Sequence, residues 1–243
     1  MDTLGSGTPP RVVGRRRARR LRPMPKEQQE LVLREWAVLR ERLRRHASAR
    51  LADAGDALRA GELDLPQGNP GARDYSWALE AYQAAGKLLD EAVDLPDLAA
   101  VVVLAERAVE RLAVARARGA GHRPGAVPER CFYNPLHPAA RRPPEPGGRR
   151  ARGRVSARRA AADRRPACAS CYRALLAGQQ PDVLPALIRV RVSFRRTVPV
   201  LVPYYMVPQQ FSPWSATACG AYDDDAPGLV MSGEHRTRSV MRH

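Results

Sequence analysis

Apolar side chains recur every three or four residues along three stretches in the first half of the chain, which is the spacing of an amphipathic helix. The first stretch ends near Gly61, and the second runs from about residue 75 to residue 92 with Asp74 as its N-cap. The third follows a capping Asp94, and Pro96 and Asp97 suit its first turn. The apolar stripes comprise Val32, Trp36, Leu39, Leu43, Ala47, Leu51, Ala54 and Leu58, then Trp77, Ala81, Ala85, Leu88 and Ala92, then Leu98, Val101, Ala105, Ala108, Leu112 and Ala115.

Three such helices joined by short connections predict a helical unit over residues 26–119, either a coiled-coil hairpin or a three-helix bundle. Most apolar faces of this kind form a core within the chain, so we interpret Trp36, Trp77 and Tyr82 as packing residues. The alternative is that a stripe docks on a partner helix. The fold class predicted for the first half is therefore mainly α.

A different pattern follows the linker predicted at residues 120–130. The stretch ALIRVRVSFRRT alternates apolar and polar side chains with a period of two, which predicts a half-buried strand. A second strand, from residue 198 to residue 205, contains Pro199 and Pro203 and is therefore expected at a sheet edge. The apolar face comprises Ile188, Val190, Val192 and Phe194, and the polar face comprises Arg189, Arg191, Ser193 and Arg195.

In the sequence, cysteine and histidine residues of the kinds that bind metals occur between the predicted helices and the predicted strands. In CFYNPLH, an Asn-Pro turn can bring His137 back toward Cys131, and in CASC, Cys168 and Cys171 open a short helix that ends at Gly178. A Cys-x-x-Cys pair at a helix N-terminus aims both sulfurs at one point. Three thiolates and one imidazole form a tetrahedral set that suits zinc, so residues 131–232 predict a small zinc-stabilised α+β module.

Two other interpretations of these residues remain open. The spacing can arise by chance, with His137 as an ordinary turn residue, or Cys168 and Cys171 can form a redox dithiol. The order of a ligand turn, a hairpin and a ligand-bearing helix resembles the treble-clef zinc fold, although residues 138–166 are of low complexity and lack the alternation of a hairpin. Cys219 is either an unpaired thiol or a spare ligand.

The charge distribution changes the picture of possible partners. Residues 1–25 carry a net charge of +6, residues 26–120 carry −2 and residues 121–243 carry +12. This asymmetry favours contact with nucleic acid or an anionic membrane surface. Both termini, residues 1–25 and 233–243, have few apolar side chains and are predicted to be disordered tails. The candidate nucleic-acid contacts are Arg15, Arg16, Arg17, Arg19, Arg20, Arg189, Arg191 and Arg195.

Several function classes find no support in the sequence. The chain shows no phosphate-binding glycine loop, no HExxH motif and no nucleophile–base–acid set, so we expect no enzyme and infer no small-molecule substrate. It shows no secretory signal and no apolar run of membrane-spanning length, which predicts a cytoplasmic protein. The expected function is a non-catalytic interaction or scaffold protein that meets a protein partner through its helices, with nucleic-acid binding as the alternative.

The stretches CFYNPLH, CASC, VPYY and WSATACGAYDDD resemble a group of uncharacterised actinobacterial proteins with a helical segment followed by a C-terminal module. The resemblance covers about residues 75–232, and CFYNPLH is its specific motif. It implies that Cys131, His137, Cys168 and Cys171 form the shared site of the module. It implies no activity.

Overall fold

The computed structural model describes residues 25–61, 68–138, 140, 165–193 and 196–239. The chain is mainly α-helical and ends in a small α+β region, as the hydrophobic pattern predicts. Three long helices lie in the first half: α1 spans Lys26–Ala60, α2 spans Ala72–Glu91 and α3 spans Leu95–Gly119. None of the described helices combines the length and the apolar character that crossing a bilayer requires.

The start of α3 forms as its sequence predicts. The Asp94 carboxylate accepts a hydrogen bond from the Leu95 amide at 2.8 Å, and the Asp97 carboxylate accepts one from the Asp94 amide at 3.1 Å, which completes a capping box. These bonds satisfy amides that have no partner inside the helix. The same carboxylates reach other elements, because Asp94 also accepts from the Trp36 indole at 3.0 Å and Asp97 accepts from the Trp214 indole at 2.8 Å.

The predicted cap of α2 is wrong. Asp74 lies inside the first turn, with Gly71 at the N-cap position, and its carboxylate is buried. It forms ion pairs with Arg111 at 2.9 Å and Arg118 at 2.6 Å, both on α3. A buried carboxylate needs such partners because desolvation is costly, so Asp74 joins two helices instead of ending one.

α3 is the central helix of the molecule. Every residue from Leu95 to Ala105 is buried. In its first half α3 is therefore buried on all sides, and not only along the predicted stripe. The reason is that α1 and α2 cover one side while the C-terminal region covers the other, with Tyr204, Trp214 and Val230 in the same hydrophobic core. The helical part and the α+β part therefore share one core, although the linker separates them along the chain.

The C-terminal region is built from short elements. Helix α4 spans Ala169–Leu176, strands β1 (Pro185–Ser193) and β2 (Arg196–Pro203) form an antiparallel pair, and a 3-10 turn follows at Tyr204–Met206. In the register of this pair, Pro185 opposes Pro203 and Val190 opposes Val198. Ala186, at the start of β1, is buried, whereas Val190 of its predicted apolar face is exposed, although its partner Val198 on β2 is buried.

Two predictions at the ends of the chain have different outcomes. Residues 233–243 are predicted to form a disordered tail; helix α6 (Glu234–Ser239), which follows α5 (Ala226–Met231), lies in this stretch, and residues 240–243 lie outside the described residues. His235 of α6 is buried against Glu91 of α2, at 2.9 Å between its Nε2 and the carboxylate, and this contact places the start of α6 against α2. The predicted basic tail, up to residue 24, and most of the low-complexity stretch, residues 141–164, lie outside the described residues.

Candidate metal centre

The CFYNPLH stretch folds into the predicted tight turn. The Asn134 side-chain oxygen accepts a hydrogen bond from the Leu136 amide at 3.2 Å, and the Asn134 carbonyl accepts one from the His137 amide at 3.0 Å. An asparagine side chain that bonds the backbone two residues on reverses the chain direction, and a proline at the next position has the φ angle that this turn needs. The turn returns His137 to the side of Cys131.

The second pair of ligand candidates is placed by α4. Cys168 occupies the N-cap position and Cys171 lies in the first turn, as the Cys-x-x-Cys spacing predicts. The Phe132 amide donates a hydrogen bond to the Pro166 carbonyl at 2.8 Å, which holds the strand-like segment before α4 next to the turn. This backbone hydrogen bond thus aligns two stretches that are about thirty residues apart in the sequence.

The four predicted ligands converge on one point. One ligand atom from each of Cys131, His137, Cys168 and Cys171 lies within 4.8 Å of the others, a set that can hold a metal ion. His137 Nδ1 faces the thiols, at 3.4 Å from Cys168 Sγ and 3.4 Å from Cys171 Sγ. The three cysteines are buried and the imidazole is mostly buried.

A carboxylate outside the cluster contacts the imidazole. Asp182 Oδ2 lies 3.1 Å from His137 Nε2, the nitrogen that points away from the thiols. The Asp182 carbonyl also lies 3.6 Å from Cys171 Sγ. Such a partner fixes the ring orientation and the tautomer of a metal-binding histidine. The sequence analysis missed Asp182, because no spacing rule links a residue between α4 and β1 to the turn that it contacts.

The thiols differ in their electrostatic surroundings. Burial acts to raise the pKa of Cys168, but hydrogen bonds from Ser170 and from the Cys171 amide lower this pKa to about 6. Burial raises the pKa of Cys171, and the neighbouring negative charge of Cys131 raises it further. Thiolates this close together repel each other, so the protein alone favours ionisation of one thiol before the next.

Aromatic side chains and an ion-pair cluster fix the site to the rest of the molecule. Phe132 and Tyr205 have ring centroids 5.4 Å apart, and the Arg165 guanidinium lies 4.1 Å from the Phe132 ring centroid. The Tyr204 hydroxyl donates a hydrogen bond to the Phe132 carbonyl. Arg130, directly before Cys131, forms ion pairs with Glu106 and Glu110 of α3.

Most of the arginines predicted to contact nucleic acid are outside the described residues. This applies to Arg195 and to the five arginines of the N-terminal tail, while Arg191 is described in its backbone only. Arg189 is exposed on β1. Tyr204 and Trp214, the aromatic residues that follow the basic strand in the sequence, are buried and act as core residues. Nucleic-acid binding stays a prediction.

Two further candidates lie apart from the cluster. Cys219 is buried in the core among apolar side chains, and the described metal-ligand cluster does not include it, so it is not a spare ligand. In the acidic triplet, predicted to be a solvated turn, Asp224 forms ion pairs with Arg107 and with Arg111, the latter at 2.8 Å. These two arginines also stack on Trp77, at 4.5 and 5.0 Å from its ring centroid.

Comparisons of the chain with protein-family models, curated proteins and solved structures give no significant match. The resemblance to the actinobacterial group therefore remains a prediction, and the function is inferred from the site.

Proposed function

We propose that this chain is a non-catalytic scaffold or interaction protein whose C-terminal region is organised by a structural zinc ion. Cys131, His137, Cys168 and Cys171 are the ligands. The observation that carries the proposal is the convergence of four ligand atoms within 4.8 Å, contributed by a turn and by a separate helix start. Chance proximity of three thiols and one imidazole, all turned toward one point, is a poor alternative.

The distances fit a tetrahedral ion. Zinc bonds to sulfur at about 2.3 Å and to nitrogen at about 2.0 Å, so a tetrahedral site separates sulfur from nitrogen by about 3.5 Å. The His137 Nδ1 atom lies 3.4 Å from two of the sulfurs. A set of three sulfurs and one nitrogen suits zinc better than the oxygen-preferring cations.

The electrostatics also favour a cation. A divalent ion deprotonates the thiols that bind it and removes the repulsion between them. A redox dithiol needs only Cys168 and Cys171, and it gives no reason for Cys131 and His137 to turn toward the same point. The metal site explains all four residues at once.

The site is closed, which argues for a structural role. Four protein ligands fill a tetrahedral zinc ion, whereas catalytic zinc keeps a position for water or substrate. The ion joins the turn at residues 131–137 to the start of α4. Through Arg130 the same turn is tied to α3, and the Tyr133 carbonyl accepts a hydrogen bond from the Leu184 amide at 3.1 Å, just before β1. One ion therefore fixes the positions of α3, α4 and the strand pair.

The metal content of untagged protein tests the proposal. We expect about one zinc per chain by mass spectrometry under native conditions. The double variant Cys168→Ser, Cys171→Ser should contain none, because serine does not replace a thiolate ligand. Cys219→Ala is the matched control, since it also removes a buried thiol but leaves the cluster intact. Metal-free wild-type protein, or a double variant that keeps its zinc, would contradict the proposal.

A further inference from the structure

The outer face of α1 near its N-terminus exposes apolar side chains. On the outer face Leu31 is 55% exposed and Val38 is 66% exposed, whereas the partly exposed Leu33 and Leu39 lie at the edges of the core-facing side. Among the described helices no other shows so many exposed large apolar residues over so short a span. Leu31 and Val38 are seven residues apart, so they lie on the same face two turns from each other. The core-facing side of α1, with Trp36 and Leu43, is a different face.

Four charged residues on this outer face are arranged symmetrically about its middle. Glu27 precedes Leu31 by four residues, and Arg42 follows Val38 by four residues. Arg34 and Glu35 lie midway. All of these side chains are exposed. Arg34 also lies 3.7 Å from Glu30 of its own helix, but an exposed pair of this kind contributes little. The acidic end and the basic end of the face are thus equally far from its centre.

We propose that α1 pairs with α1 of a second copy of this chain, antiparallel, about a two-fold axis that passes between Arg34 and Glu35. This axis places Leu31 against Val38 of the partner subunit. It places Glu27 against Arg42 of the partner subunit, and Arg34 against Glu35 of the partner subunit. Because the interface is two-fold symmetric, each of these contacts occurs twice.

The charges also disfavour the competing arrangement. A parallel, in-register pair sets Glu27 against Glu27 of the partner subunit and Arg42 against Arg42 of the partner subunit. Like charges in direct opposition disfavour association, so the pattern selects the antiparallel orientation. Leu31 and Val38 provide apolar contacts on either side of the axis, and the charged residues set the direction of pairing.

This inference deepens the scaffold role proposed above by naming the partner of the helical region as a second copy. It is separable from the metal centre, because α1 supplies none of the four ligands. A chain that binds zinc but stays monomeric would overturn the pairing of α1 and leave the zinc site standing. A chain that dimerises but contains no zinc would overturn the zinc site and leave the pairing of α1 standing.

Sedimentation equilibrium of the full chain over about 1–200 µM tests the pairing. We expect the wild type to form a dimer that weakens as salt concentration rises. Glu27→Arg replaces two attractive contacts with two repulsive ones, so the dimer should weaken by about tenfold or more. The double variant Glu27→Arg, Arg42→Glu restores opposite charges across the axis and should recover the wild-type dissociation constant.

Glu80→Arg is the matched control, because it makes the same charge change at an exposed position of α2. It should dimerise like the wild type. Circular dichroism and zinc content check that each variant is folded. A wild type that is monomeric throughout overturns the proposal, as does a double variant that fails to recover dimerisation while it is folded.

Discussion

Asp182 is the residue outside the ligand set that acts most directly on the metal centre. Its carboxylate lies 3.1 Å from His137 Nε2. A hydrogen on Nε2 would be donated to this carboxylate, and the Nδ1 lone pair would then be free to bind the proposed metal. We expect Asp182→Ala to weaken zinc binding by about 10- to 100-fold, measured by competition with a chromophoric chelator. Asp90→Ala, at an exposed site on α2, is the control. Equal zinc affinity of Asp182→Ala and the wild type would show that the carboxylate has no part in orienting the ring.

Asp94 makes the stability of the protein depend on pH. Burial raises its pKa to about 6, against the hydrogen bonds that it accepts from Leu95, Leu187 and Trp36. Because this pKa is higher in the folded than in the unfolded chain, folding takes up a proton between about pH 4 and pH 6. The contribution of Asp94 to stability is therefore present at low pH and is lost as the pH rises through 6.

Asp94→Asn isolates this effect from the other carboxylates. Between pH 7 and pH 5 the free energy of unfolding of the wild type should rise by about 1 kcal/mol relative to that of the variant, which cannot titrate at this position. Urea unfolding at both pH values measures the difference. If the two proteins change in parallel, Asp94 does not titrate in this range.

At the scale of single residues, the sequence predicts what local chemistry decides. The capping role of Asp94 and the turn at Asn134 follow from rules that span only a few positions, and both form. Asp74 has the same sequence signal as Asp94, yet it is buried because Arg111 and Arg118 of a different helix reach it. Partners far along the chain are not visible in a local pattern.

At the scale of elements, the approach of α2 to α3 depends on a glycine. A Cβ atom on Gly71 would lie 2.3 Å from the Ala115 carbonyl oxygen, a backbone atom that cannot turn away. Gly71→Ala should therefore displace the start of α2 and destabilise the protein by about 1–3 kcal/mol in thermal or chemical unfolding.

Gly86→Ala is the control for this prediction. Gly86 also belongs to α2, but an added Cβ would meet no atom within 4 Å. Since alanine is the better helix former, this variant should be more stable than the wild type by about 0.5–1 kcal/mol. Equal effects of the two substitutions would mean that the contact between Gly71 and α3 is not tight.

The elements themselves were more predictable than their surroundings. The three stripes predict α1, α2 and α3 because the helical repeat of about 3.6 residues can be recognised within each segment without knowledge of its partners. The complete burial of the first half of α3 was not predicted, since it depends on Tyr204, Trp214 and Val230 from the distant C-terminal region. For the same reason α6 was not predicted, because its buried His235 contacts Glu91, a residue far away in the sequence.

At the scale of the whole molecule, the shared core links the proposed zinc site to the helices. Tyr204 donates a hydrogen bond to the turn that carries Cys131, and it also packs in the core that contains α3. Loss of the metal should therefore loosen both halves together. We expect a strong chelator to lower the melting temperature in a single transition, seen equally by far-ultraviolet circular dichroism and by tryptophan fluorescence.

The two signals report different parts of the molecule, so their agreement would show that both parts unfold together. Circular dichroism reports chiefly the long helices, whereas the fluorescence of a Trp36→Phe, Trp77→Phe background reports Trp214 in the C-terminal region. The double variant Cys168→Ser, Cys171→Ser should melt at the temperature of the chelated wild type and should not respond to chelator, because both lack the same ion. Two separate transitions, with the helices unaffected by chelator, would mean that the C-terminal region folds independently. In that case the contacts of Tyr204 and Trp214 with the helical core would not transmit the effect of the metal.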